Sequence, residues 1–573
     1  MKTLKECILK AREKYKKGIF VKSTLRNYTY DEIIEKVLKW AGYLTKIGIK
    51  KGDRIGIITP KSVEQLKSLY AVWMAGGIVV PINENSREAE LKFILEDATP
   101  KVILTISSLE EKIKNIYPEA RIVLLEKLDE LSKGSIYREE CETNSEDTGA
   151  LIYTSGSTGN PKGVMLTHKN LVSNGKSIVN IKKLTTDDCL YSILPYWHSF
   201  SLAVEVIGSI SSGSSLGFTE NSKNFVGNIP LFNPTIILAV PRILEIIKGS
   251  IEKQVKNAGA ESLKSYEKLL QVAPFVKGDR FDFIPNEEYR QIYDILDKKL
   301  LVKIRSVFGE NLKEFISGGA ALDINLQRYF GYLGIPVMQG YGLSEATPVV
   351  SVDSLEDYCY GSSGNLLEWL TDQPFGDFTF LDELGNRGKD LKGELLLKGS
   401  CVMKGYWNHR DESAKVIKDG WLHTGDTGYY KGRKLYISGR KTNMIVLKGG
   451  ENIHPEFIEN ELKKSDFIDD VMVIGDGCKN LYACLTVPEN YDGVHEGELN
   501  ILLKSEVKRL TSHLVPYQKP KDILLVSRFT VEDETYTGTM KVRRHMVNKR
   551  EGKKIHRFLE EAGEKTDSGD FKN

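Results

Sequence analysis

The sequence predicts an α/β protein with a large N-terminal domain of parallel-sheet α/β layers and a β subdomain, followed by a small α+β C-terminal domain. Three observations support this fold class. Strand-like and helix-like runs alternate from residue 30 to 125, short strands with glycine-rich turns follow at 376–400, and a second mixed region begins after residue 442. Alternation of the first kind indicates a parallel sheet with helices on its faces.

The alternating region can be assigned element by element. Residues 54–59 and 77–82 are apolar runs typical of buried strands, and they flank a helical pattern over 62–74. Residues 102–106 are predicted to form a third strand. The strand pattern returns at 151–153 and 235–240, whereas residues 245–305 are predicted to be helical and are highly charged.

The remaining elements define the predicted domains. Residues 377–382 and 393–399 are predicted strands of an antiparallel subdomain, because glycine-rich turns separate them. Strands are also predicted at 471–474 and from residue 482 to 487. The predicted boundaries are 1–441 for the large domain, 442–550 for the small domain, and 551–573 for a polar, frayed tail.

Composition and charge narrow the class of protein. The 573 residues allow about three or four folding units at roughly 150 residues each. Lys and Arg number 80 and Asp and Glu 78, so no global field attracts nucleic acid or anionic lipid, although a local basic patch is still compatible with this balance. We therefore expect no nucleic-acid partner.

Cysteine usage and hydropathy predict a compartment. The seven cysteines are scattered and contain no Cys-x-x-Cys pair, which argues against a disulfide framework or a zinc site and favours a reducing, cytoplasmic location. The N-terminus has the pattern of an amphipathic helix, not of a signal peptide. No uncharged apolar run reaches about 18 residues, so we expect no membrane span.

A segment rich in glycine and hydroxyl groups is the most informative part of the chain. Residues 153–168 are Tyr-Thr-Ser-Gly-Ser-Thr-Gly-Asn-Pro-Lys-Gly-Val-Met-Leu-Thr-His, directly after a predicted strand. Glycines let backbone N–H groups approach an anion, hydroxyls donate further hydrogen bonds, and a lysine adds positive charge. This combination suits a polyphosphate. The spacing differs from a Walker A loop, because Pro161 precedes Lys162 and no Ser or Thr follows it.

The full segment resembles the phosphate loop of the adenylate-forming superfamily. That superfamily includes acyl-CoA synthetases, aryl-CoA ligases, luciferases and the adenylation domains of peptide synthetases. The resemblance implies that this loop binds ATP, with Thr154 also acting in catalysis and at the metal. The loop residues assigned to nucleotide binding are Thr154, Ser155, Gly156, Ser157, Thr158, Gly159 and Lys162.

Two further motifs match the family in its order. Residues 339–346, Gln-Gly-Tyr-Gly-Leu-Ser-Glu-Ala, resemble the Gly-Tyr-Gly-x-Thr-Glu segment. The resemblance implies that Tyr341 and the adjacent Gly342 border adenine, that Ser344 meets the α-phosphate, and that Glu345 binds Mg²⁺, which prefers oxygen ligands. Residues 317–321, Ser-Gly-Gly-Ala-Ala, are similar to the loop that borders adenine and the acyl pocket. This similarity assigns Gly319 and Ala320 to the nucleotide site.

The ribose and thiol sites are assigned in the same way. Residues 421–426 end in Thr-Gly-Asp, and the resemblance implies that Asp426 accepts hydrogen bonds from ribose hydroxyls. Residues 437–440, Ile-Ser-Gly-Arg, place Ile437 and Arg440 beside ribose or phosphate. Residues 447–456 resemble the loop that enters for the thioester step, where Gly449 and Gly450 would admit a pantetheine thiol.

The C-terminal part completes the resemblance and departs from it once. Relatives have Asp or Lys at the hinge position two residues beyond the arginine, where this chain has Thr442. The family's catalytic lysine corresponds to Lys541 in Thr-Gly-Thr-Met-Lys-Val-Arg-Arg, a variant seen in long-chain acyl-CoA synthetases. A cation is needed there because attack on the α-phosphate builds negative charge. The same residues could instead form a solvated basic helix face.

The identity of the acid depends on residues 194–200, Leu-Pro-Tyr-Trp-His-Ser-Phe. They resemble the motif that lines and gates the acid pocket, so His198 is a candidate catalytic or gating residue, with a buried structural histidine as the alternative. Amino-acid-activating relatives place Phe-Asp here, and this chain has no acid at that position. Together with the motif variants, this resembles long-chain fatty acyl-CoA and acyl-carrier-protein synthetases.

The resemblance implies an ATP- and Mg²⁺-dependent acid–thiol ligase with a mobile C-terminal domain. The expected substrate is a medium- or long-chain fatty acid, and the expected acceptor is coenzyme A. A carrier-protein phosphopantetheine, an aryl or other acid, an oxidative luciferase-like reaction and a catalytically silent adenylate-binding protein are the alternatives. Peripheral membrane contact is compatible with a fatty acid substrate.

Overall fold

The computed structural model describes residues 2–138, 142–154, 160–219, 225–371, 376–537 and 542–564. The chain divides into two compact units. The first comprises Met1–Phe378, Leu396–His423 and Gly432–Leu435, and the second comprises Thr379–Leu395, Thr424–Lys431 and Tyr436–Asn573.

The α-helices of the described residues are, in chain order, Leu4–Tyr15 (α1), Tyr30–Lys46 (α2), Val63–Met74 (α3), Glu88–Ala98 (α4), Ser107–Ile116 (α5), Leu125–Leu131 (α6), His168–Lys182 (α7), Ser199–Ser201 (α8), Gly208–Ser212 (α9), Phe225–Phe232 (α10), Pro241–Asn257 (α11), Ala260–Val272 (α12), Glu287–Leu296 (α13), Val302–Ser306 (α14), Ile324–Tyr332 (α15), Glu368–Thr371 (α16), Arg410–Val416 (α17), Pro455–Leu462 (α18), Glu496–Leu510 (α19) and Arg544–Glu561 (α20). Leu202–Ile207 and Asp297–Leu301 form π-helical turns.

The β-strands of the described residues are Ile19–Ser23 (β1), Asn27–Thr29 (β2), Arg54–Ile58 (β3), Ile78–Ile82 (β4), Val102–Thr105 (β5), Ile122–Leu124 (β6), Thr148–Thr154 (β7), Lys162–Thr167 (β8), Cys189–Ser192 (β9), Ser215–Phe218 (β10), Ile236–Ala239 (β11), Glu314–Ser317 (β12), Val337–Gly342 (β13), Val349–Val352 (β14), Asn365–Leu366 (β15), Asp377–Leu381 (β16), Arg387–Gly388 (β17), Gly393–Lys398 (β18), Ile417–Lys418 (β19), Trp421–Lys431 (β20), Lys434–Arg440 (β21), Ile445–Val446 (β22), Asn452–Ile453 (β23), Val471–Ile474 (β24), Tyr482–Leu485 (β25) and Asp522–Leu525 (β26).

The first unit is built on two sheets. One has the strand order β6-β5-β3-β4-β7-β8, and its strands are parallel except for the antiparallel pair β7–β8. The other has the order β15-β14-β13-β12-β11-β9-β10-β1-β2, and the six strands from β13 to β1 are parallel. The carboxyl ends of parallel strands share one edge of a sheet, which is where open α/β sheets bind ligands.

Local sequence explains where the elements begin. Thr29 and Glu32 form a capping box that starts α2, since the Thr29 side chain accepts from the Glu32 backbone and the Glu32 side chain accepts in return. Ser62 caps α3 in a related way. Strand β4 is buried at every position, as expected for an apolar strand covered on both faces.

The second unit contains the small α+β region. Strands β24 and β25 pair antiparallel and β25 and β26 pair parallel, while β22 and β23 form a short hairpin. Helices α18 and α19 pack on this region through Ile458 and Leu503, which are fully buried. Within the same unit β16 and β17 pair antiparallel, as expected from the glycine-rich turns.

The predicted α/β fold class is confirmed, and two local features differ from the sequence expectation. The loop after β7 returns as a second strand, β8, which the sequence reading did not predict. Helix α20 continues to Glu561 into the segment predicted as a frayed tail, because Ile555 and Leu559 on one face are buried. The domain boundaries at 441 and 550 remain predictions. None of the helices in the described ranges is both long and apolar enough to cross a bilayer.

Candidate active site

The phosphate loop of the sequence analysis lies in a β-hairpin of the first unit. Strands β7 and β8 pair from Thr148 to Thr154, and the last pair joins Thr154 to Lys162. These two residues therefore stand opposite each other at the end of the strand pairing. Ser155, Gly156, Ser157, Thr158 and Gly159 lie outside the described residues.

Lys162, at the same end of this hairpin as Thr154, is bound by an acidic residue. Its Nζ donates to Glu412 Oε2 at 2.6 Å and lies 5.4 Å from the centre of the Tyr406 ring. Hydrogen bonds from Lys162 and then Lys415 lower the pKa of Glu412 to about 2. A phosphate that binds Lys162 must therefore compete with an ionised carboxylate.

The segment 403–407 connects the hairpin to Glu345. Its backbone accepts from Met165 N at 2.9 Å and donates to Gly163 O at 2.7 Å. At its other end, it donates to the carbonyl oxygen of Glu345 at 2.8 Å. The Tyr406 hydroxyl also donates to Glu345 Oε1 at 2.8 Å. One short segment thus fixes the hairpin and the predicted metal ligand relative to each other.

The oxygen groups at this site fit a magnesium ion that arrives with a polyphosphate. Glu345 is half-buried and offers one carboxylate, and Thr154 offers a hydroxyl at the hairpin end. The described parts of the chain contain no cluster of three His, Cys, Asp or Glu side chains able to hold a metal alone. Mg²⁺ is usually bound through one or two carboxylates together with phosphate oxygens, so one protein carboxylate is sufficient.

The structure brings the second and third motifs together at the carboxyl edge of the parallel sheet. Ser317 on β12 pairs with Gln339 on β13 and with Ala239 on β11. Gly319 and Ala320 follow β12 directly, and Gly319 has φ +83°. This backbone angle favours glycine and explains why glycine stands at position 319.

The last position of β13 requires glycine for a steric reason. A Cβ at Gly342 would lie 2.0 Å from the carbonyl oxygen of Pro348. Tyr341 and Ser344 flank this position, and both are half-buried. Ser344 begins a single 3₁₀ turn, so its hydroxyl and the Glu345 carboxylate follow each other within one short turn.

The 194–200 segment contacts both of these motifs. Ser199 Oγ lies 2.9 Å from Ser344 Oγ, and the Phe200 ring lies 3.2 Å from the position of a Cβ at Gly318. His198 Nδ1 accepts from the Phe200 backbone N–H at 3.3 Å, so this histidine caps the following short helix. The contact supports a structural contribution of His198 and leaves its gating role as a prediction.

The predicted ribose residues lie in the second unit. Arg440 Nε donates to Asp426 Oδ1 at 2.9 Å, and Asp426 is only 5% exposed. Strand β20 carries Asp426 and β21 carries Ile437 and Arg440. The structure therefore brings the fourth and fifth motifs together.

The predicted thiol loop is a tight turn in the same unit. Gly450 N donates to Leu447 O at 2.8 Å, and Gly450 has φ +87° with open space around its Cα. Gly449 is exposed, and a Cβ at this position would lie 2.3 Å from Glu451 Oε2. Lys541 lies outside the described residues.

Sequence reasoning missed two residues of this arrangement. Glu412 binds Lys162 from 250 positions away, and Tyr406 binds Glu345 from 61 positions away. Neither lies in a glycine-rich or otherwise distinctive motif. Only the Gly405-Tyr406-Trp407 string offered a local signal, since glycine beside two aromatic residues indicates close backbone packing.

Relatives of the chain are fatty acid ligases. A long-chain-fatty-acid–CoA ligase of Mycobacterium bovis, FadD15, is 28% identical over 544 residues, covering 88% of this chain and 87% of the relative. A long-chain-fatty-acid–CoA ligase of Bacillus subtilis is also 28% identical, with 87% and 86% covered. A chloroplastic long-chain-fatty-acid–[acyl-carrier-protein] ligase of Arabidopsis thaliana, AEE15, is 27% identical, with 91% and 81% covered.

Solved structures show the same fold. The o-succinylbenzoate CoA synthetase of Bacillus subtilis in complex with its acyl-adenylate matches with a TM-score of 0.71 and 22% identity, covering 94% of this chain and 96% of the other. The fatty acyl CoA synthetase of Mycobacterium tuberculosis matches with a TM-score of 0.66 and 22% identity, covering 97% and 99%. The family model described as "AMP-binding enzyme" matches residues 9–407. The chain therefore belongs to the AMP-binding enzyme family.

Proposed function

We propose that this enzyme adenylates a medium- or long-chain fatty acid and transfers the acyl group to coenzyme A. The observation that carries the proposal is the connection of Thr154 and Lys162 to Glu345 through the 403–407 segment. It supports a site in which phosphate-binding groups and a metal-binding carboxylate act on one triphosphate.

The first half-reaction joins the acid to AMP. The carboxylate oxygen attacks the α-phosphorus of ATP, a P–O bond forms, and the bond to the leaving pyrophosphate breaks. Lys162 and the hairpin bind the phosphates, and Lys541 stabilises the charge that develops on the α-phosphate. Glu345 and Thr154 would hold Mg²⁺, which neutralises phosphate charge when it is bound. Asp426 would accept from the ribose hydroxyls.

The second half-reaction transfers the acyl group to the thiol. The thiol sulfur attacks the acyl carbonyl, a C–S bond forms, AMP leaves, and the thiol proton is released. Gly449 and Gly450 would let the pantetheine arm approach, because neither residue carries a side chain beyond hydrogen. The proposal includes rotation of the small domain near Thr442, so that Lys541 withdraws between the two steps.

The fatty nature of the acid is supported by two features. Residues 197–200 offer Trp, His, Ser and Phe, with no carboxylate to hold a substrate amine. The relatives at 27–28% identity are named for long-chain fatty acids. The test is a pyrophosphate-release assay across acids of graded chain length, with amino acids and aryl acids in parallel. Release that is highest with an amino acid or an aryl acid would refute the fatty acid assignment.

The acceptor is tested separately. Coenzyme A and a phosphopantetheinylated carrier protein are offered in turn, and the thioester is measured by mass. The carrier protein is the second candidate because one relative is named an acyl-carrier-protein ligase. Thioester formed only on the carrier protein would mean that the carrier protein, and not coenzyme A, is the acceptor.

Lys541→Ala tests the assignment of the catalytic lysine. We expect acyl-adenylate formation to be lost while thioester formation from supplied acyl-adenylate is retained, because the lysine serves only the first step. Lys549→Ala, an exposed lysine on α20, is the matched control and should leave both steps unchanged. Equal survival of both half-reactions in Lys541→Ala would exclude this role.

A further inference from the structure

A buried ion pair lies behind the 194–200 segment in the first unit. Lys61, in the turn after β3, donates through Nζ to Glu205 Oε2 at 2.8 Å. The Lys61 side chain is 16% exposed and Glu205 is fully buried within the π-helical turn Leu202–Ile207. Burying two charges is unfavourable unless their mutual attraction and further hydrogen bonds offset the lost hydration. Neither residue belongs to a motif of the nucleotide site.

The pair binds both ends of the segment. Ser192, the last residue of β9, donates to Glu205 Oε2 before the segment begins. Ser201, just after the segment, lies 2.8 Å from the same oxygen and 3.1 Å from the carbonyl oxygen of Leu194. Lys61 Nζ also donates to the Leu194 carbonyl. Two serines and one lysine thus donate to a single carboxylate, and the Leu194 carbonyl accepts from the same lysine and from Ser201.

An aromatic residue inside the segment completes the cluster. The centre of the Tyr196 ring lies 4.3 Å from Lys61 Nζ, and the Tyr196 hydroxyl lies 3.0 Å from Ser192 Oγ. Tyr196 is fully buried, so the cluster fixes the inner side of the segment. A cation over a desolvated aromatic ring adds to this attachment.

The outer side of the same segment faces the candidate active site. Ser199 Oγ lies 2.9 Å from Ser344 Oγ, and Phe200 packs against Gly318 at the end of β12. The ion pair on the inner side and the site contacts on the outer side are therefore separated by a few residues of backbone. Displacement of this backbone would move His198 and Ser199 together.

We infer that Lys61 and Glu205 are positioning residues for the acid substrate: their ion pair holds the 194–200 segment so that Ser199 stays beside Ser344 and the adjacent His198 keeps its place. The inference rests on the proposed function, in which this segment borders the acid pocket. Lys61 and Glu205 touch no substrate themselves. Their loss should therefore change kcat/KM for the acid more than it changes KM for ATP.

The first test compares Lys61→Met and Glu205→Gln with the wild-type enzyme in acid-dependent pyrophosphate release. We expect kcat/KM for the acid to fall by about tenfold to a hundredfold, while KM for ATP stays within about twofold, since small displacements of a substrate-positioning group have effects of this size. Lys61→Arg retains the charge and should recover part of the loss. Unchanged kcat/KM for the acid in both variants would overturn the inference.

A second buried lysine–glutamate pair provides the matched control. Lys182 Nζ lies 2.7 Å from Glu314 Oε2, with side chains 2% and 3% exposed, at the amino end of β12. Lys182→Met should lower the melting temperature without raising KM for the acid. If it raises this KM as much as Lys61→Met does, the effect reflects general destabilisation and the positioning role is wrong.

A double variant separates positioning from stability. Lys61→Met with Glu205→Met removes both charges, and apolar replacement of a buried ion pair is often neutral for stability. We expect its melting temperature to recover while KM for the acid stays raised, because Ser192 and Ser201 have lost the Glu205 carboxylate and the Leu194 carbonyl has lost Lys61. A double variant with wild-type KM would contradict the inference.

Hydrogen exchange keeps this outcome distinct from a failure of the proposed function. If none of the acids tested supports pyrophosphate release by the wild-type enzyme, the proposed function fails. Amide exchange over 194–201 then decides the inference. Faster exchange there in the double variant than in the wild type and Lys182→Met supports it. Equal exchange in all three proteins overturns it.

Discussion

Lys162 shows how a single residue can be recognised from sequence while its environment is not. Its place in a glycine- and hydroxyl-rich hairpin predicts phosphate binding. Its partner Glu412 comes from α17, and no local pattern connects the two. The residue types of the site were therefore predictable, whereas the carboxylate that balances the lysine was visible only in the folded chain.

The Lys162–Glu412 pair predicts opposite effects of two substitutions on ATP binding. Lys162→Met should raise KM for ATP about tenfold or more, because a charge-assisted phosphate contact is lost. Glu412→Gln should lower KM for ATP about two- to fivefold, since the competing carboxylate is neutralised. Steady-state pyrophosphate release measures both.

Lys415→Met is the control for these variants. Lys415 also binds Glu412 but is 68% exposed, so its loss should change KM for ATP less than about twofold. A wild-type KM for ATP in Lys162→Met would show that Lys162 does not bind the phosphates.

His168 predicts a pH dependence of stability that is independent of catalysis. It is buried, its Nδ1 accepts from Leu4 N at 3.3 Å, and burial lowers its pKa from 6.5 to about 4. Between these two pH values the unfolded state binds a proton that the folded state does not. The free energy of unfolding should therefore fall by about 3 kcal/mol from this group as the pH drops from 6.5 to 4.

Urea unfolding at pH 7 and pH 4.5 measures this contribution as a difference between variants. His168→Gln keeps an acceptor for Leu4 and should lose less stability on acidification than the wild type. His513→Gln, which changes an exposed histidine, should behave as the wild type does. An identical loss in His168→Gln and the wild type would contradict the buried neutral state of His168.

At the scale of elements, apolar patterns predicted the strands and their parallel order well. Strands β3, β4 and β5 are continuous apolar runs, and helix α3 lies between the first two. Strand β8 was missed because its glycine and lysine were interpreted as part of a loop. The far end of α20 was missed because its charged residues outnumber the two apolar residues that anchor it, so burial was not evident from composition.

The turn between β22 and β23 carries a prediction about the thiol step. Gly450 has φ +87°, where a Cβ strains the backbone, so Gly450→Ala should distort the proposed thiol loop. We expect thioester formation from supplied acyl-adenylate to fall about tenfold, while acyl-adenylate formation changes little.

Gly493→Ala is a matched control for this turn. Gly493 also has φ +87° and open space around it, but lies outside every motif of the site. It should leave both half-reactions unchanged. If Gly450→Ala leaves thioester formation unchanged as well, this turn does not admit the thiol.

At the scale of the whole molecule, the linear sequence could not predict which segments make up each of the two units. The sequence predicted a single boundary after residue 441, whereas the second unit also contains Thr379–Leu395 and Thr424–Lys431. Such recruitment depends on strand pairing between distant segments, which apolar periodicity does not encode. The order of motifs along the chain was nevertheless sufficient to identify the family.

Thr442 provides a test of domain movement in the intact enzyme. It lies in the 3₁₀ turn Lys441–Asn443, at the position where the proposed rotation requires a change in backbone dihedrals. Thr442→Pro fixes φ near −65° and restricts the preceding residue, so the chain should be confined to one arrangement. We expect one half-reaction to remain within about twofold of wild type and the other to fall about tenfold or more.

Thr442→Ala, which leaves the backbone free, should retain both half-reactions. Separate assays of acyl-adenylate formation and thioester formation distinguish these outcomes. Retention of both half-reactions in Thr442→Pro would show that rotation does not use this residue, and equal loss of both would indicate misfolding of the turn instead of a locked hinge.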